Sequence, residues 1–474
     1  MLFNSLTFAL FFAGVMVLHH LPLSWRMKKV NLLWTSYLFY MAWNPPFVIM
    51  LIASSVLDWF CGIGLTKYTD KTRRRLILLV SLVGNLGMLG FFKYGNFFLQ
   101  NFQFLAAKMG VHYEPVKWDI VLPVGISFYT FQTLTYTFDI YFGKMKRWNS
   151  FLDYCLYVTF FPQLVAGPIV RANDFQAEVE QPRRANAKQM GWGLTLLVIG
   201  LFEKAVIADG LLAPIVEDAF DRAGDPKFFG AWAGTFAFAG QIFCDFAGYS
   251  TCAIGVSLCL GIAIMDNFLW PYAAVGFSDF WRRWHISLSS FLRDYLYIPL
   301  GGNRKGAIRT QVNLMLTMLI GGLWHGASWT FVVWGGLHGL YLVGERIVKS
   351  ILPDWPIFKN RGVLLLTAIG TFLLVCVTWV FFRARTFDKA FAFVGSMVGR
   401  YPKEGGDVLS HAQIIIACYT MVAVFAVHWL MRETTLEQAA AKCPWWLRSI
   451  LLALMIVAIM MSPGEDRAFI YFQF

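Results

Sequence analysis

The chain has 474 residues, 58% of them hydrophobic and 17% aromatic, with only 14% charged, where a soluble domain is closer to a quarter charged. Apolar runs recur along nearly the whole length, and each bilayer crossing takes about 20 apolar residues. This excludes an ordinary soluble enzyme and predicts an all-α, polytopic integral membrane protein with roughly ten to twelve helical segments, some re-entrant.

The net charge of +12 does not point to nucleic acid. The basic residues stand in short loops between apolar runs, as the positive-inside pattern requires. Acidic lipid headgroups or a phosphorylated cytosolic substrate account for them better.

Phe3 to Leu18 is apolar, with no basic region before it and no small-residue cleavage site, and reads as a retained first helix. Arg26, Lys28 and Lys29 place the following loop in the cytoplasm, and so do Lys67, Lys71, Arg73, Arg74 and Arg75 further on. Val30 to Trp43 crosses outward, Phe47 to Leu65 returns, and Leu76 to Tyr94 crosses outward again. The N-terminus is therefore expected outside. Asp58 lies inside the third helix, where a capped or cavity-facing carboxylate is favoured over a substrate role.

Ile120 to Gly143 alternates Ser, Thr and Gln with aromatics after an early break at Pro123 and Gly125. It is too polar to face lipid and should line a protein interior or a wet cavity, with Asp139 near its interfacial end. Phe151 to Ile169 is broken at Pro162 and again at Gly167-Pro168, and a third basic loop follows. Gly191 to Ala208 is the next apolar run. Within Ala231 to Ile262, Asp245 forms a polar knot with Gly248, Tyr249, Ser250 and Thr251. A buried carboxylate costs several kcal/mol unless it is paired, and Arg282 or Arg283 is the expected partner.

Phe277, Phe280, Trp281, Trp284, Leu288, Phe291 and Leu292 fall at spacings of three and four, one face of a helix. Arg282, His285 and Ser289 form a second, polar stripe, and Asp279 can reach Arg283 across one turn. An amphipathic helix on the membrane surface explains the Arg and Trp residues well and His285 less well. A flexible basic loop follows, Gly301-Gly302-Asn303-Arg304-Lys305.

Gln311 to Glu345 is apolar, with Gly321, Gly322, His325, Gly326 and Ser328 in its middle and basic residues, Lys359 among them, on its flanks. Whether it enters and returns or is one tilted helix, His325 is buried near its centre. In a continuous helix His338 would lie about 220° around and roughly 20 Å along from His325, which leaves it a structural hydrogen-bonding role. The other histidines read as interfacial or packing residues. Gly362 to Phe382, Ala412 to Leu430 and Ile450 to Met461 are the last spans, and Tyr401 to Ser410 is a loop.

The eight cysteines are scattered, mostly inside expected helices, with no CxxC pair, so no metal site is expected. Nucleotide fingerprints, a P-loop and a GxSxG elbow are absent from the sequence. Histidine is the side chain suited to take a hydroxyl proton near neutral pH. A buried His between two aqueous compartments fits a group transfer, with Arg and Lys holding a phosphorylated donor. A core histidine in a transporter fits the same residues.

PVGISFYTFQTLTYTFDIY, FPQLVAGPIVR, DFAGYSTCAIG, DFWRRWHISLSSFLRDYLYIPLGGNR and GGLWHGASWTFVVWGGLHG together resemble the membrane-bound O-acyltransferase family, in its bacterial alginate O-acetyltransferase branch. The terminal FIYFQF is similar to that branch too. The resemblance implies one membrane-embedded domain over 1–474, with a catalytic core at about 120–346 and broken helices around a central tunnel. It matches the family's invariant histidine to His325 and a second His or Asn position to His285.

The implied reaction moves an acetyl group from a cytosolic donor, acetyl-CoA, across the bacterial cytoplasmic (inner) membrane. The acceptor is a polysaccharide hydroxyl or a periplasmic partner that completes the transfer. No bound cofactor is implied. On this reading Arg282, Arg283, Asp245, Asn303, Arg304, Lys305 and Trp324 are candidates for binding the donor. Ala247 and Thr251 depart from the DFSGYSD of the family's pattern, so no polar role is carried to them. Transfer to peptidoglycan or cellulose, D-alanyl transfer to teichoic acid, a non-catalytic transporter and a scaffold are the competing readings.

Overall fold

The computed structural model describes residues 1–115, 120–222, 224–352, 360–400, 408–462, 467 and 469–470. Lys359, most of the Tyr401–Ser410 loop and the last four residues of the FIYFQF ending lie outside the described residues. The described residues contain helices, turns and loops and no strand, as expected for an all-α membrane protein. They form two compact units, Met1–Leu197 with Cys252–Met265, and Val198–Thr251 with Asp266–Phe474.

The first unit opens with α1 (Leu6–His20), capped by Ser5, whose hydroxyl accepts the Phe8 amide at 3.1 Å, and α2 (Trp25–Met41). Next come α3 (Val48–Lys67), α4 (Lys71–Leu89), a π-helical turn at Gly90–Tyr94 and α5 (Gly95–Lys108). α6 (Ile126–Tyr141) starts after Gly125, whose left-handed φ of 75° and close approach to the Leu164 carbonyl leave no room for a side chain. All of α6 except Phe138 and Tyr141 is buried. That is the interior placement its polar residues require, because Thr133 and Thr135 return their hydroxyls to the Thr130 and Gln132 carbonyls at 3.0 and 2.8 Å.

Asp139, near the C-terminal end of α6, is only 3% exposed and lies 4.0 Å from Lys144 Nζ. Asp58 is fully buried and accepts from Ser81 Oγ at 2.5 Å and Asn85 Nδ2 at 2.7 Å. This capped carboxylate ties α3 to α4. The rest of the unit includes α7 (Phe151–Thr159), α8 (Phe161–Leu164) and α9 (Ala172–Val179). Lys29 pairs with Asp153 at 2.5 Å, and the Trp25 indole donates to the Val179 carbonyl at 2.9 Å.

α10 (Ala187–Leu201) leads through a long π-helical segment, Phe202–Leu212, to α11 (Ala213–Asp221) and α12 (Phe228–Cys259). In the second unit α12 carries glycines where neighbours come close: a Cβ on Gly240 would meet Leu212, and one on Gly248 the Gly200 carbonyl, both at 2.7 Å. The remaining helices are α13 (Phe277–Arg283), α14 (Ile286–Leu292), α15 (Ala307–His325), α16 (Trp329–Ile351), α17 (Arg361–Arg383), α18 (Phe387–Met397), α19 (His411–Met431), α20 (Leu436–Lys442) and α21 (Trp445–Met461).

Among the described residues five helices are long and apolar enough to cross a membrane: Pro45–Lys67, Lys71–Lys108, Phe228–Cys259, Arg361–Arg383 and His411–Met431. Leu6–His20 and Trp445–Met461 are shorter apolar helices. Two other expected crossings are cut into pieces, whereas Val30 to Trp43 lies almost wholly in the unbroken α2. Phe151 to Ile169 breaks at Phe160, and Gln311 to Glu345 breaks after His325.

Candidate functional site

Two breaks in the second unit build the site. The first falls at His285. The stretch expected to be one amphipathic helix is two short ones, because His285 takes φ 43° and ψ 56° and cannot continue a right-handed helix. A non-glycine residue there costs roughly 1–2 kcal/mol, so its surroundings must over-determine it.

Asn267 does so. Its carbonyl accepts the Ile286 amide at 2.9 Å, and its Oδ1 accepts the Ser287 amide and hydroxyl at 3.3 and 2.9 Å. His285 is fully buried, with Nδ1 3.1 Å from Asn267 Oδ1 and its ring 4.7 Å from Phe246, edge to face.

The second break is a helical hairpin. α15 ends at His325, and α16 begins at Trp329 with Ser328 accepting the Thr330 amide at 3.3 Å. Of the two geometries open from the sequence, the single continuous helix is not found: the chain turns back after His325. Glycines let the two arms meet: a Cβ on Gly322 would strike the Phe331 carbonyl, and one on Gly335 the Met318 carbonyl. His325, 3% exposed at the tip, is boxed by Trp324, Trp334 and Phe382 with ring centroids at 4.9, 5.0 and 5.3 Å.

Trp324 also lies 6.0 Å from His285 and so joins the two imidazoles through one indole. His338 meets Trp334 at 4.8 Å and holds Thr378 Oγ1 at 3.0 Å from its Nε2.

The N-terminus of α13 is pinned by Glu345, which accepts the Ser278 amide at 2.8 Å. Asp279 pairs with Arg283 at 3.0 Å, the contact expected across one turn, and with Arg432 at 3.2 Å. Burial pushes the Asp279 carboxyl up, but the Val275 amide, Arg283 and Arg432 outweigh it and hold its pKa below the usual carboxylate value.

A cavity of about 740 Å³ opens beside these helices, lined by Trp281, Ile286, Met318, Arg282, Arg293 and Arg346 among others. Its walls are mostly apolar, and its cations come from α13, the π-helical turn Arg293–Tyr297 and α16.

Only Arg282, of the basic residues expected to hold the donor, lines this cavity. Arg283 is committed to Asp279 and to the carbonyls of Leu269 and Arg432 at 3.3 and 3.1 Å. Asn303, Arg304 and Lys305 are exposed in their loop and do not line it.

Neither Arg282 nor Arg283 is the partner of Asp245. Lys204 is, at 2.5 Å, and it also holds Asp209 at 2.9 Å. The Ile470 amide closes on the other Asp245 oxygen at 2.7 Å, while Phe469 packs on Phe246 and Tyr249 at 5.5 and 5.3 Å. The physical reason is burial: Arg282 keeps its head group 72% exposed, whereas Lys204 is drawn inside by two carboxylates.

Lys204, Asn267, Arg293, Glu345, Arg346 and Arg432 are the residues whose place at the site sequence reasoning missed. Lys204 alone left a signal, as a cation within an apolar run. Among the described residues no three His, Cys, Asp or Glu side chains gather as metal ligands.

Buried imidazoles joined through an indole, at the ends of helices whose other residues line an apolar cavity with cations, suit proton transfer beside an anionic thioester or phosphate. The membrane-bound O-acyltransferase family model matches residues 24–384. The chain is 38% identical to the probable alginate O-acetylase AlgI of Azotobacter vinelandii over 90% of this chain and 85% of that one. It is 36% identical to the peptidoglycan O-acetyltransferase of Helicobacter pylori over 82% and 77%. It is 34% identical to the probable alginate O-acetylase AlgI of Pseudomonas putida over the whole of both chains.

Proposed function

The chain belongs to the membrane-bound O-acyltransferase family, and we propose that it moves an acetyl group from cytosolic acetyl-CoA across the bacterial cytoplasmic membrane toward hydroxyls of an exported polysaccharide, directly or through a periplasmic partner. It is a multi-pass membrane enzyme, an O-acyltransferase. The N-terminus lies on the periplasmic side, with the basic loops inside, and the chain acts as one catalytic domain.

His325 is the general base. Its imidazole takes the proton of the acceptor hydroxyl as that oxygen attacks the thioester carbonyl. The tetrahedral intermediate collapses, the C–S bond breaks, and the imidazolium returns the proton to the departing thiolate. His285 orients or assists, approached from the cytoplasmic side, and Arg282, Arg293 and Arg346 hold the phosphates of the donor. Trp324 sets the two rings against each other.

The observation that carries this reading is a cavity whose apolar walls and cations suit an acyl thioester and its phosphates, lined by Ile286, the residue after the buried His285, and by Met318 of α15, the helix that ends at the buried His325. An alginate-type polysaccharide is the favoured acceptor, as named for the A. vinelandii relative. Peptidoglycan is the second reading, favoured by the H. pylori relative at 36% identity.

The test is to delete the gene in its host and restore it as wild type or His325→Ala. Ester-linked acetyl is then measured separately in exopolysaccharide and peptidoglycan, and label is followed from acetyl-CoA into proteoliposomes. The expected result is acetyl lost from the exopolysaccharide fraction with normal membrane insertion of the variant. Undiminished acetylation by His325→Ala would remove the catalytic role, and loss confined to peptidoglycan would make the second reading the right one.

A further inference from the structure

We propose that Asn267 is a positioning residue for His285, whose side-chain carbonyl fixes that imidazole as the Nδ1–H tautomer and leaves the lone pair on Nε2. One donor here has no choice. The Ser287 backbone N–H can only donate, and it points at Asn267 Oδ1 at 3.3 Å. The amide atom there is therefore oxygen and not nitrogen. The other end of the amide agrees, since Nδ2 donates to Ser250 Oγ at 3.3 Å.

The same oxygen lies 3.1 Å from His285 Nδ1. An amide oxygen only accepts, so Nδ1 must carry the proton, and a neutral imidazole then presents its acceptor at Nε2.

Asn267 also holds the backbone that aims the ring. Its main-chain carbonyl accepts the Ile286 amide at 2.9 Å, directly after the left-handed His285. Asn267 thus sets the position of the imidazole and, with the Ser287 hydroxyl that it holds 3.4 Å from Nδ1, its protonation pattern, so that the ring is readied before substrate arrives. The catalytic consequence rests on the acyl-transfer role of His285 proposed above, whereas the tautomer does not.

The experiment uses the full-length protein in lipid nanodiscs with 15N-labelled histidine. Solid-state NMR reads which ring nitrogen is protonated, and the difference from His285→Gln isolates one of the eight histidines. Protonated Nδ1 is expected in the wild type and in Asn267→Asp, which keeps the acceptor, and its loss is expected in Asn267→Leu. An Nε2–H ring in the wild type overturns the proposal, whether or not Asn267→Leu folds. So does an Nδ1–H signal that persists unchanged in Asn267→Leu.

In cells, Asn267→Leu should lower polymer acetylation roughly 100-fold, the lower end of what a positioned acid–base group supplies and the share assigned to the assisting His285, while Asn267→Asp stays within about tenfold of wild type. Full acetylation by Asn267→Leu also overturns the proposal. Full acetylation by His285→Gln, with the tautomer as expected, would instead overturn the catalytic reading of His285.

Discussion

Lys204 and Asp245 form a buried ion pair closed at 2.5 Å, with side chains 6% and 3% exposed. Asp209 shares the same ammonium at 2.9 Å, so one cation serves two carboxylates. Removing one member of a buried pair typically costs about 3–5 kcal/mol, because it strands the other charge. Lys204→Met strands two carboxylates and should be the more damaging change. Asp245→Asn leaves a neutral Lys204–Asp209 pair, still accepts the Ile470 amide, and should cost less. Thermal unfolding of the two variants in detergent checks the order, and equal losses would contradict it.

The hairpin that carries His325 depends on glycine at two facing positions. Gly322→Ala and Gly335→Ala each place a methyl against backbone, at the Phe331 and Met318 carbonyls, which cannot swing aside. Each should destabilise by about 1–3 kcal/mol and reduce acetylation as the tip shifts. At Gly344, further along α16, an added methyl would meet nothing within 4 Å. Gly344→Ala should be neutral or stabilising by up to about 1 kcal/mol, from helix propensity alone. Melting curves for the three variants separate packing from propensity.

His338 and Thr378 are joined at 3.0 Å between Nε2 and Oγ1, and the Thr378 hydroxyl donates to the Val375 carbonyl at 2.7 Å. Removing that hydroxyl in Thr378→Val should cost about 1–3 kcal/mol, because it leaves the buried His338 Nε2 unsatisfied. Acetyl transfer by the folded fraction should be retained. A double-mutant cycle with His338→Phe measures the coupling, and a specific activity that collapses in Thr378→Val would assign this pair to the chemistry.

Much of this was legible in residue order, and the limits have identifiable causes. The all-α membrane class followed from apolar run length, and the burial of α6 from its Thr and Gln residues among aromatics. The pairing of Asp279 with Arg283 followed from helical spacing. The break at His285 was hidden because periodicity continues through it, with Phe280, Trp284, Leu288 and Phe291 still in step. What stops the helix there is Asn267, eighteen residues back.

The partner of Asp245 is hidden for a similar reason. The nearest cations in an obviously functional motif were arginines, whereas Lys204 comes from another segment. Contacts made by tertiary folding leave no spacing to read.

Asp279 offers a titration outside the candidate spans. Its folded pKa is held below the usual value by Arg283, Arg432 and the Val275 amide, against the opposing effect of burial. A carboxylate with a depressed folded pKa contributes stability that is present above its unfolded pKa of about 3.9. That contribution disappears as pH falls through the folded value. Stability should therefore have an acid limb beginning near pH 4, and Asp279→Asn should flatten that limb while lowering stability at neutral pH. Unfolding midpoints across pH 3 to 7 would show it, and identical acid limbs in the two proteins would count against the pairing.

The cavity wall makes the last prediction, because it separates the cations that line the cavity from those in the basic loop. Arg282 and Arg346 line the 740 Å³ cavity, whereas Arg304 stands in an exposed loop that does not. If the cavity takes the donor, Arg346→Glu and Arg282→Glu should each raise the KM for acetyl-CoA roughly tenfold, equivalent to about 1.4 kcal/mol. kcat should change little, since the contact is equally present in ground and transition states. Arg304→Glu should leave KM within about twofold, as expected for an exposed charge away from the ligand. Steady-state kinetics in proteoliposomes at two salt concentrations decides the matter. A KM that responds to Arg304 and not to Arg346 would move the donor out of the cavity and onto the loop.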